Sequence, residues 1–199
     1  MWDRDVSCPL KVCIVGHGPS LIGSRNGESI DSADVIVRLK QGWKQCLDNP
    51  DDYGTKIDVL MTSTETLGCF KDSGILDIKH YWCYPKFGWY EQSLIESIEK
   101  QIGKMTDIPL NMINKFNWRF RQTSGHPNVS LGMAAILYVK HYLEPTELVL
   151  AGFDTLLDPF KAFERNPNMP RTGVGPYPDH DWKMENLLLN QLRLNVRPI

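Results

Sequence analysis

The chain of 199 residues has no long apolar run. No stretch approaches the roughly 18 to 20 consecutive apolar residues that a membrane-spanning helix needs. The first residues, MWDRDVSCPLKV, lack the apolar core of a secretory signal, and the chain shows no internal repeat or low-complexity segment. These absences predict a soluble, cytoplasmic protein without a membrane partner.

Cysteine pairs and a large excess of one charge are also missing. All five cysteines lie within the first 83 residues, and none forms the C-x-x-C pair of a zinc site. We therefore expect reduced thiols that pack as small apolar groups in a reducing compartment. The formal net charge of -2 gives no overall attraction to nucleic acid or to an anionic membrane, so partners must be inferred from local motifs.

Short apolar runs alternate with longer amphipathic ones along the chain. Runs typical of buried strands cover residues 11–15, 35–39, 57–61, 80–84 and 147–151. Helical spacing covers residues 91–103, 130–143 and 181–194, with part of 20–30 as a further candidate. This alternation predicts an α/β fold with a Rossmann-like, doubly wound and mostly parallel sheet, in a single domain over residues 1–199.

Residues 155–180 do not fit the alternation. They contain five prolines, too many for a helix interior or a central strand. A loop of this length inside a domain is commonly an active-site lid. We predict such a lid here, with Arg171 and Tyr177 as candidate lid or acceptor contacts.

The first predicted strand runs into a turn with two glycines and a proline, Gly16-His17-Gly18-Pro19-Ser20. A glycine turn that opens a helix exposes backbone N–H groups, which favour a phosphate at the carboxyl end of the strand. A tight turn without a ligand is the structural alternative. The dinucleotide fingerprint G-x-G-x-x-G is incomplete, because position 21 is leucine and the next glycine is Gly23.

Three blocks in order resemble one enzyme family. Residues 12–40, VCIVGHGPSLIGSRNGESIDSADVIVRLK, resemble the large motif of the animal-type sialyltransferases, with a strand, a glycine turn, a G-x-x-I-D segment and a second strand. Residues 126–154, HPNVSLGMAAILYVKHYLEPTELVLAGFD, look like the small motif, and HDWKME at 180–185 looks like the very small motif H-x-x-x-x-E. The chain thus resembles a divergent cytosolic member of this family, of bacterial or phage type.

The resemblance implies a fold and a reaction. The fold would be the sialyltransferase-like variant of the GT-A type. The enzyme would be an inverting, metal-independent glycosyltransferase that moves sialic acid from CMP-sialic acid to a hydroxyl group on a glycan, without a cofactor. Residues at the large and small motifs would bind the donor.

Departures from the family's motifs fall on the donor site. His17 and Lys40 stand where the family has asparagines that contact the nucleotide, and the disulfide of secretory relatives cannot form because no cysteine follows Cys83. These changes leave open another donor, a UDP-pentose or UDP-hexose, with a hydroxylated DNA base as acceptor. A nucleotide-binding module without catalysis is a third hypothesis.

A histidine is the candidate general base. The acceptor hydroxyl must lose its proton as it attacks, and neutral imidazole suits that task near pH 7. By resemblance the base is His180. If Asp181 caps the following helix, the positive helix end disfavours imidazolium. Glu185 is either a second catalytic group or a partner of a helix dipole.

Further candidates contact the donor or the acceptor. Ser130, Leu131 and Gly132 would open a second helix towards a phosphate or a carboxylate, unless Ser130 is an ordinary N-cap. Asp154 could bind a ribose or sugar hydroxyl or cap a turn. Lys40 and Arg38 would stabilise the departing phosphate, although Arg38 could instead pair with Asp31 or Asp34. The basic aromatic stretch KFNWRFR adds weaker acceptor candidates, namely Trp118, Arg119 and Arg121.

Overall fold

A computed structural model describes residues 9–70, 78–84, 92–103, 105–107, 117, 128–157 and 181–199. Within these ranges, seven strands form one sheet. They are β1 (Lys11–Val15), β2 (Val35–Leu39), β3 (Val59–Ser63), β4 (His80–Tyr84), β5 (Thr106–Asp107), β6 (Glu147–Ala151) and β7 (Val196–Pro198). The order is β5-β4-β3-β2-β1-β6-β7, and every neighbouring pair is parallel. The predicted α/β class with a parallel sheet is confirmed.

Helices connect the strands. They are α1 (Gly27–Asp31), α2 (Gly42–Asp48), α3 (Pro50–Tyr53), α4 (Gln92–Ile102), α5 (Leu131–Tyr142), α6 (Asp154–Leu157) and α7 (Trp182–Gln191), with 3-10 segments at Pro19–Leu21 and Thr64–Phe70. The helices predicted over 91–103, 130–143 and 181–194 therefore form close to their expected bounds. The 20–30 candidate is split in two, because Gly23 and Arg25 adopt positive φ angles of 73° and 55°, which end a right-handed helix.

The third strand begins two residues later than the sequence pattern predicts. Asp58 lies just before the strand; its backbone N–H donates to the Ile36 carbonyl at 3.1 Å, and its Oδ2 accepts from the Ile36 N–H at 3.0 Å. The strand then extends through Thr62 and Ser63, which are buried although polar. The Thr62 hydroxyl is hydrogen-bonded to Thr66 Oγ1 at 2.8 Å, which allows this burial.

Both faces of the sheet are covered. On one face, Val12 and Ile14 of β1 pack with the apolar residues of α5 and with Leu188 and Leu189 of α7. On the other face, Cys13 and Val15 pack with Leu21, Ile30 and Tyr53 from the segments that follow β1 and β2. Burial on both faces accounts for the continuous apolar runs in the sequence.

The described thiols are packing groups. Cys13, Cys46 and Cys83 are buried and free. Burial raises the pKa of Cys13 to about 12 and that of Cys46 to about 11, so both stay protonated near neutral pH. The Cys46 thiol donates to the Gly42 carbonyl at 3.1 Å. The expectation of reduced, apolar-packing cysteines holds for these three.

The order of the strands reverses direction beside β1. The chain adds β2 to β5 on one side of β1 and then places β6 and β7 on the other side. In open parallel sheets, such a switch point leaves a crevice at the carboxyl ends of the two strands, and ligands commonly bind there. The residues that follow β1 and β6 are therefore the place to look for a site.

Candidate functional site

The turn after β1 lies directly against the end of β6. The backbone N–H of Gly16 donates to the Ala151 carbonyl, and that of Gly18 donates to the Gly152 carbonyl, both at 2.8 Å. A Cβ on Gly16 or Gly18 would lie only 2.7 Å or 2.5 Å from the Gly152 carbonyl oxygen. The two glycines are required because the two backbones approach this closely.

Asp154 closes the same turn from the other strand. Its Oδ2 accepts a hydrogen bond from the Ser20 backbone N–H at 2.9 Å, across 134 residues of sequence. The prediction that these N–H groups form an open phosphate cradle is therefore wrong for Gly16, Gly18 and Ser20, whose N–H groups are already bonded. Pro19 has none to offer. A 3-10 segment, not an α-helix, follows the turn.

Side chains at the turn remain available. The Ser20 hydroxyl is buried and has no hydrogen-bond partner within the described ranges. Asp154 is half-buried, and its Oδ2 contact leaves the other carboxylate oxygen for a hydroxyl group. The structure therefore brings two predicted residues together at the switch point, as polar side chains in place of a backbone cradle.

His17 is exposed and is oriented by a residue that the sequence did not reveal. Its Nδ1 lies 3.0 Å from Gln45 Oε1, on α2. Although the residue as a whole is exposed, protein packed around the ring withdraws part of it from water and lowers the pKa of His17. Hydrogen bonds to Gln45 and to the Leu39 backbone oppose this, and the charge of Lys40 lowers the pKa further. The ring is therefore mainly neutral at pH 7. The sequence pattern did not predict α2, so nothing in the sequence indicated that Gln45 would contact His17.

Lys40 follows β2 in an unusual backbone conformation. Its φ is 50°, in the left-handed region, and its N–H donates to the Met61 carbonyl at 2.8 Å. Asparagine adopts this region more readily than lysine does, which gives a physical reason for an asparagine at the matching position of the sialyltransferase motif. The partly exposed Lys40 places a cation close enough to influence His17.

Arg38 is held by carbonyl groups of the protein. Its side chain is fully buried, and its Nε and Nη2 donate to the carbonyls of Lys56 and Tyr53 at 2.8 Å and 2.7 Å. Nη2 also lies 4.0 Å from an Asp31 carboxylate oxygen. Arg38 thus holds the segment before β3 in place. Full burial of the side chain does not fit the predicted contact with the departing phosphate, and of the two proposed ion-pair partners the contact is with Asp31.

The start of α5 is held by a buried carboxylate. Ser130 is the N-cap, and its Oγ accepts from the Met133 N–H at 3.1 Å. The Ser130 N–H and Oγ donate to the two carboxylate oxygens of Glu185, each at 2.6 Å. The Ser130 hydroxyl donates its proton to Glu185 and accepts from Met133, so the N-cap alternative describes its observed contacts.

An aromatic ring joins the start of α5 to the turn after β1. Cβ atoms on Gly132 and Gly16 would lie 2.9 Å and 3.3 Å from the Phe153 ring. Leu131 is buried at the same end of the helix. The predicted turn, the predicted helix start and the end of β6 therefore form one packed edge of the sheet.

Several predicted residues lie outside the described ranges. They are His180, Trp118, Arg119, Arg121, Arg171 and Tyr177, together with residues 158–180 of the predicted lid. Asp181, the chain neighbour of His180, is described: its Oδ1 accepts from the Met184 N–H at 3.0 Å, so it caps α7 as predicted. Asn117, inside the basic aromatic stretch, is buried and accepts from the Val129 N–H at 3.0 Å.

The architecture was compared with known proteins. No protein-family model and no curated protein sequence matches the chain. Two crystal structures of a mammalian sialyltransferase, one of them in complex with Gal-beta-1-3GalNAc-ortho-nitrophenol, superpose with TM-scores of 0.63 and 0.62. Each match has 18% sequence identity and covers 98% of this chain and 70% of the other. The chain has a sialyltransferase-like fold.

The sialyltransferase-like fold confirms the architecture that the three sequence blocks predicted. It leaves the donor, the base and metal independence as predictions. Within the described residues, no group of three or more His, Cys, Asp or Glu could hold a metal ion. In the same part of the chain, no helix has the length and apolar character to cross a membrane.

Proposed function

We propose that this protein is a glycosyltransferase that takes a sugar from a nucleotide donor and joins it to an acceptor hydroxyl. The observation that carries the proposal is the switch-point edge, where Asp154, Ser20 and His17 follow β1 and β6 of a sialyltransferase-like sheet. Ligands of such sheets bind at this edge. The half-buried carboxylate of Asp154 suits a ribose or sugar hydroxyl.

The reaction we propose is a direct displacement with inversion. The acceptor oxygen forms a bond to the anomeric carbon as the bond from that carbon to the phosphate oxygen breaks. The nucleotide leaves with the electron pair, and the acceptor proton passes to His180. Asp181 begins α7 immediately after this histidine, and the positive end of the helix favours the neutral ring that a base requires.

No metal or cofactor takes part in the proposed reaction. Negative charge then develops on the leaving phosphate, and Lys40, whose charge acts on His17 in the glycine turn, is the cation that we propose stabilises it. By analogy with the sialyltransferases, the donor is CMP-sialic acid and the acceptor is a glycan.

A second donor is favoured by the two positions that differ from the sialyltransferase motif. His17 and Lys40 replace asparagines, and Lys40 does so in a backbone conformation that lysine adopts with difficulty. A cation here would stabilise a diphosphate leaving group more than a monophosphate. The second candidate is therefore a transferase for a UDP-pentose or UDP-hexose, with a hydroxylated DNA base as acceptor.

Nucleotide binding separates the hypotheses. We expect CMP or UDP to raise the melting temperature of the protein in a thermal-shift panel that also contains GDP and NAD. Stabilisation by UDP but not CMP would select the second donor, and stabilisation by CMP alone would exclude it. Stabilisation by NAD alone would contradict the transferase proposal.

Turnover then tests the base. The nucleotide that binds should be supplied as its sugar donor, with release of free nucleotide as the measurement. His180→Ala should reduce transfer by about 100-fold or more, the range of general-base catalysis, and leave nucleotide binding intact. Undiminished turnover would exclude His180 as the base, and binding without any turnover of the wild type would favour the non-catalytic module.

A further inference from the structure

The side chain of His17 is held by a residue from a helix that follows a different strand. Gln45, in α2, places its Oε1 3.0 Å from the His17 Nδ1, across 28 residues of sequence. An amide offers both an acceptor oxygen and a donor nitrogen, so Gln45 can bond to this ring nitrogen whether or not the nitrogen carries a proton. Gln45 is half-buried, whereas His17 is exposed. The contact therefore restrains the ring of an exposed residue.

The backbone on both sides of His17 is also fixed. The Gly16 and Gly18 N–H groups bond to carbonyls at the end of β6, both at 2.8 Å. Because these N–H groups and that of Ser20 are already bonded, the turn offers a ligand its side chains in their place. His17 is the exposed polar side chain among residues 16–20. It is therefore the side chain of this turn that a ligand at the switch-point edge would meet first.

Gln45 can restrain the ring because α2 itself is packed on the sheet. Trp43 and Cys46, on either side of Gln45 in this helix, are buried, and the Cys46 thiol donates to the Gly42 carbonyl at 3.1 Å. A Cβ on Gly42 would lie 3.3 Å from the Arg38 Cβ, so the start of α2 lies directly against β2. A group carried by a packed element keeps a more precise position than one on a loop, so Gln45 can act as a fixed support for the ring.

We infer that Gln45 is a positioning residue that orients His17 for contact with the donor nucleotide. This inference rests on the proposed function, since the ring can contact a donor only if one binds at this edge. A side chain that is held in place before the ligand arrives loses less rotational freedom on binding, which improves the affinity. Removal of the Gln45 amide should therefore weaken nucleotide binding, and it should do so only while His17 is present.

A double-mutant cycle tests this dependence. The probe is CMP or UDP, whichever raises the melting temperature of the wild type, and its dissociation constant is measured by calorimetric titration. Gln45→Met keeps the length of the side chain and removes the bond to the ring, so we expect it to weaken binding about fivefold, as for the loss of one hydrogen bond. In a His17→Ala background the same change should have no further effect. Gln191→Met changes an exposed glutamine at the end of α7, and this matched control should leave binding unchanged.

The imidazole resonances of His17 in NMR spectra give a second readout that needs no nucleotide. They are identified by their loss in His17→Ala. We expect them to shift in Gln45→Met, because the ring is no longer restrained, and to stay in place in Gln191→Met. Gln45→Glu keeps an acceptor oxygen and adds a negative charge, so the ring should remain bonded and its pKa should rise above the wild-type value.

Two outcomes would overturn the inference. If Gln45→Met weakens nucleotide binding equally with and without His17, Gln45 acts on the site through α2 and not through the ring. If Gln45→Met leaves nucleotide binding unchanged, whether or not the resonances shift, Gln45 does not prepare the ring for the donor. Failure of the proposed function would differ from both, because neither nucleotide would then bind to the wild type, while the His17 resonances would still shift in Gln45→Met.

Discussion

Two backbone turns at the same edge of the sheet are each closed by a carboxylate from a distant part of the chain. Asp154 accepts from Ser20 in the turn after β1, and Glu185 accepts from Ser130 at the start of α5. The second contact is fully buried, whereas Asp154 is half-buried and the Ser20 hydroxyl has no partner among the residues that the structure describes. The buried contact of Glu185 with Ser130 is structural, whereas the contact of Asp154 with Ser20 leaves polar groups that could also bind a ligand.

Burial determines which of these carboxylates is free to act. A buried carboxylate must have both oxygens satisfied by the protein, so it has little left to offer a substrate. A half-buried carboxylate can bond to the backbone with one oxygen and to a ligand with the other. By this argument we expect Asp154 to contact the proposed donor, whereas Glu185 holds the start of α5 in place.

Removal of the two carboxylates, one at a time, should give the largest difference in stability between the two turns. Glu185→Ala leaves two buried donors without acceptors and creates a cavity, so it should lower the free energy of unfolding by about 3 kcal/mol. Asp154→Ala exposes the Ser20 N–H to water and should lower the same quantity by about 1 kcal/mol or less. Urea denaturation of the two variants measures both values. Equal losses would contradict the distinction between the two turns.

A methyl group in the turn after β1 should have the next largest effect. Gly18→Ala adds a Cβ that would lie only 2.5 Å from the Gly152 carbonyl oxygen. Such overpacking should lower the free energy of unfolding by about 2 kcal/mol and separate the turn from β6.

Gly68→Ala is the matched control for this change. A Cβ at Gly68 meets nothing within 4 Å and the residue is exposed. The free energy of unfolding of Gly68→Ala, measured by urea denaturation, should remain within about 0.5 kcal/mol of the wild-type value. A similar loss in both variants would mean that the close approach of the two backbones is not what requires the glycine.

The smallest effect concerns His17 and pH. The folded state has a lowered pKa at His17, so below the ordinary value of 6.5 the unfolded chain binds the proton more tightly. Stability should therefore fall as the pH drops from about 6.5 through the folded pKa. His17→Asn should reduce this slope, measured as the free energy of unfolding between pH 7.5 and 5. Identical slopes in the two proteins would show that the ring does not resist protonation.

The sequence predicted the sheet better than it predicted the hydrogen bonds. Strands buried on both faces give continuous apolar runs. Four of the predicted runs match the observed strand bounds, because a short, fully apolar run flanked by turn residues is typical of a buried strand. The third strand begins two residues later than predicted, and the bond from the Asp58 carboxylate to the backbone of β2, just before it, is a long-range contact that a local pattern cannot show. Short elements such as α2 and β5 carry too few residues for a recognisable period.

The residues of the candidate site were predicted in part. Asp154 and the glycine turn were placed at one edge correctly, since the carboxyl ends of parallel strands meet there. Which groups point outward depends on partners far along the chain. Asp154 occupies the Ser20 N–H from 134 residues away, and Arg38 lies in a fully buried strand where a cation is unexpected. Neither relation leaves a local signature in the sequence.

The central position of β1 has a consequence for folding. β1 pairs with β2 after a short connection, but its other edge pairs with β6, which the chain reaches only after more than a hundred further residues. Contacts that close long loops form late and slow the reaction. We therefore expect the crevice between β1 and β6 to be among the last features to assemble, so that recovery of the proposed nucleotide binding during refolding would report the completion of the native sheet.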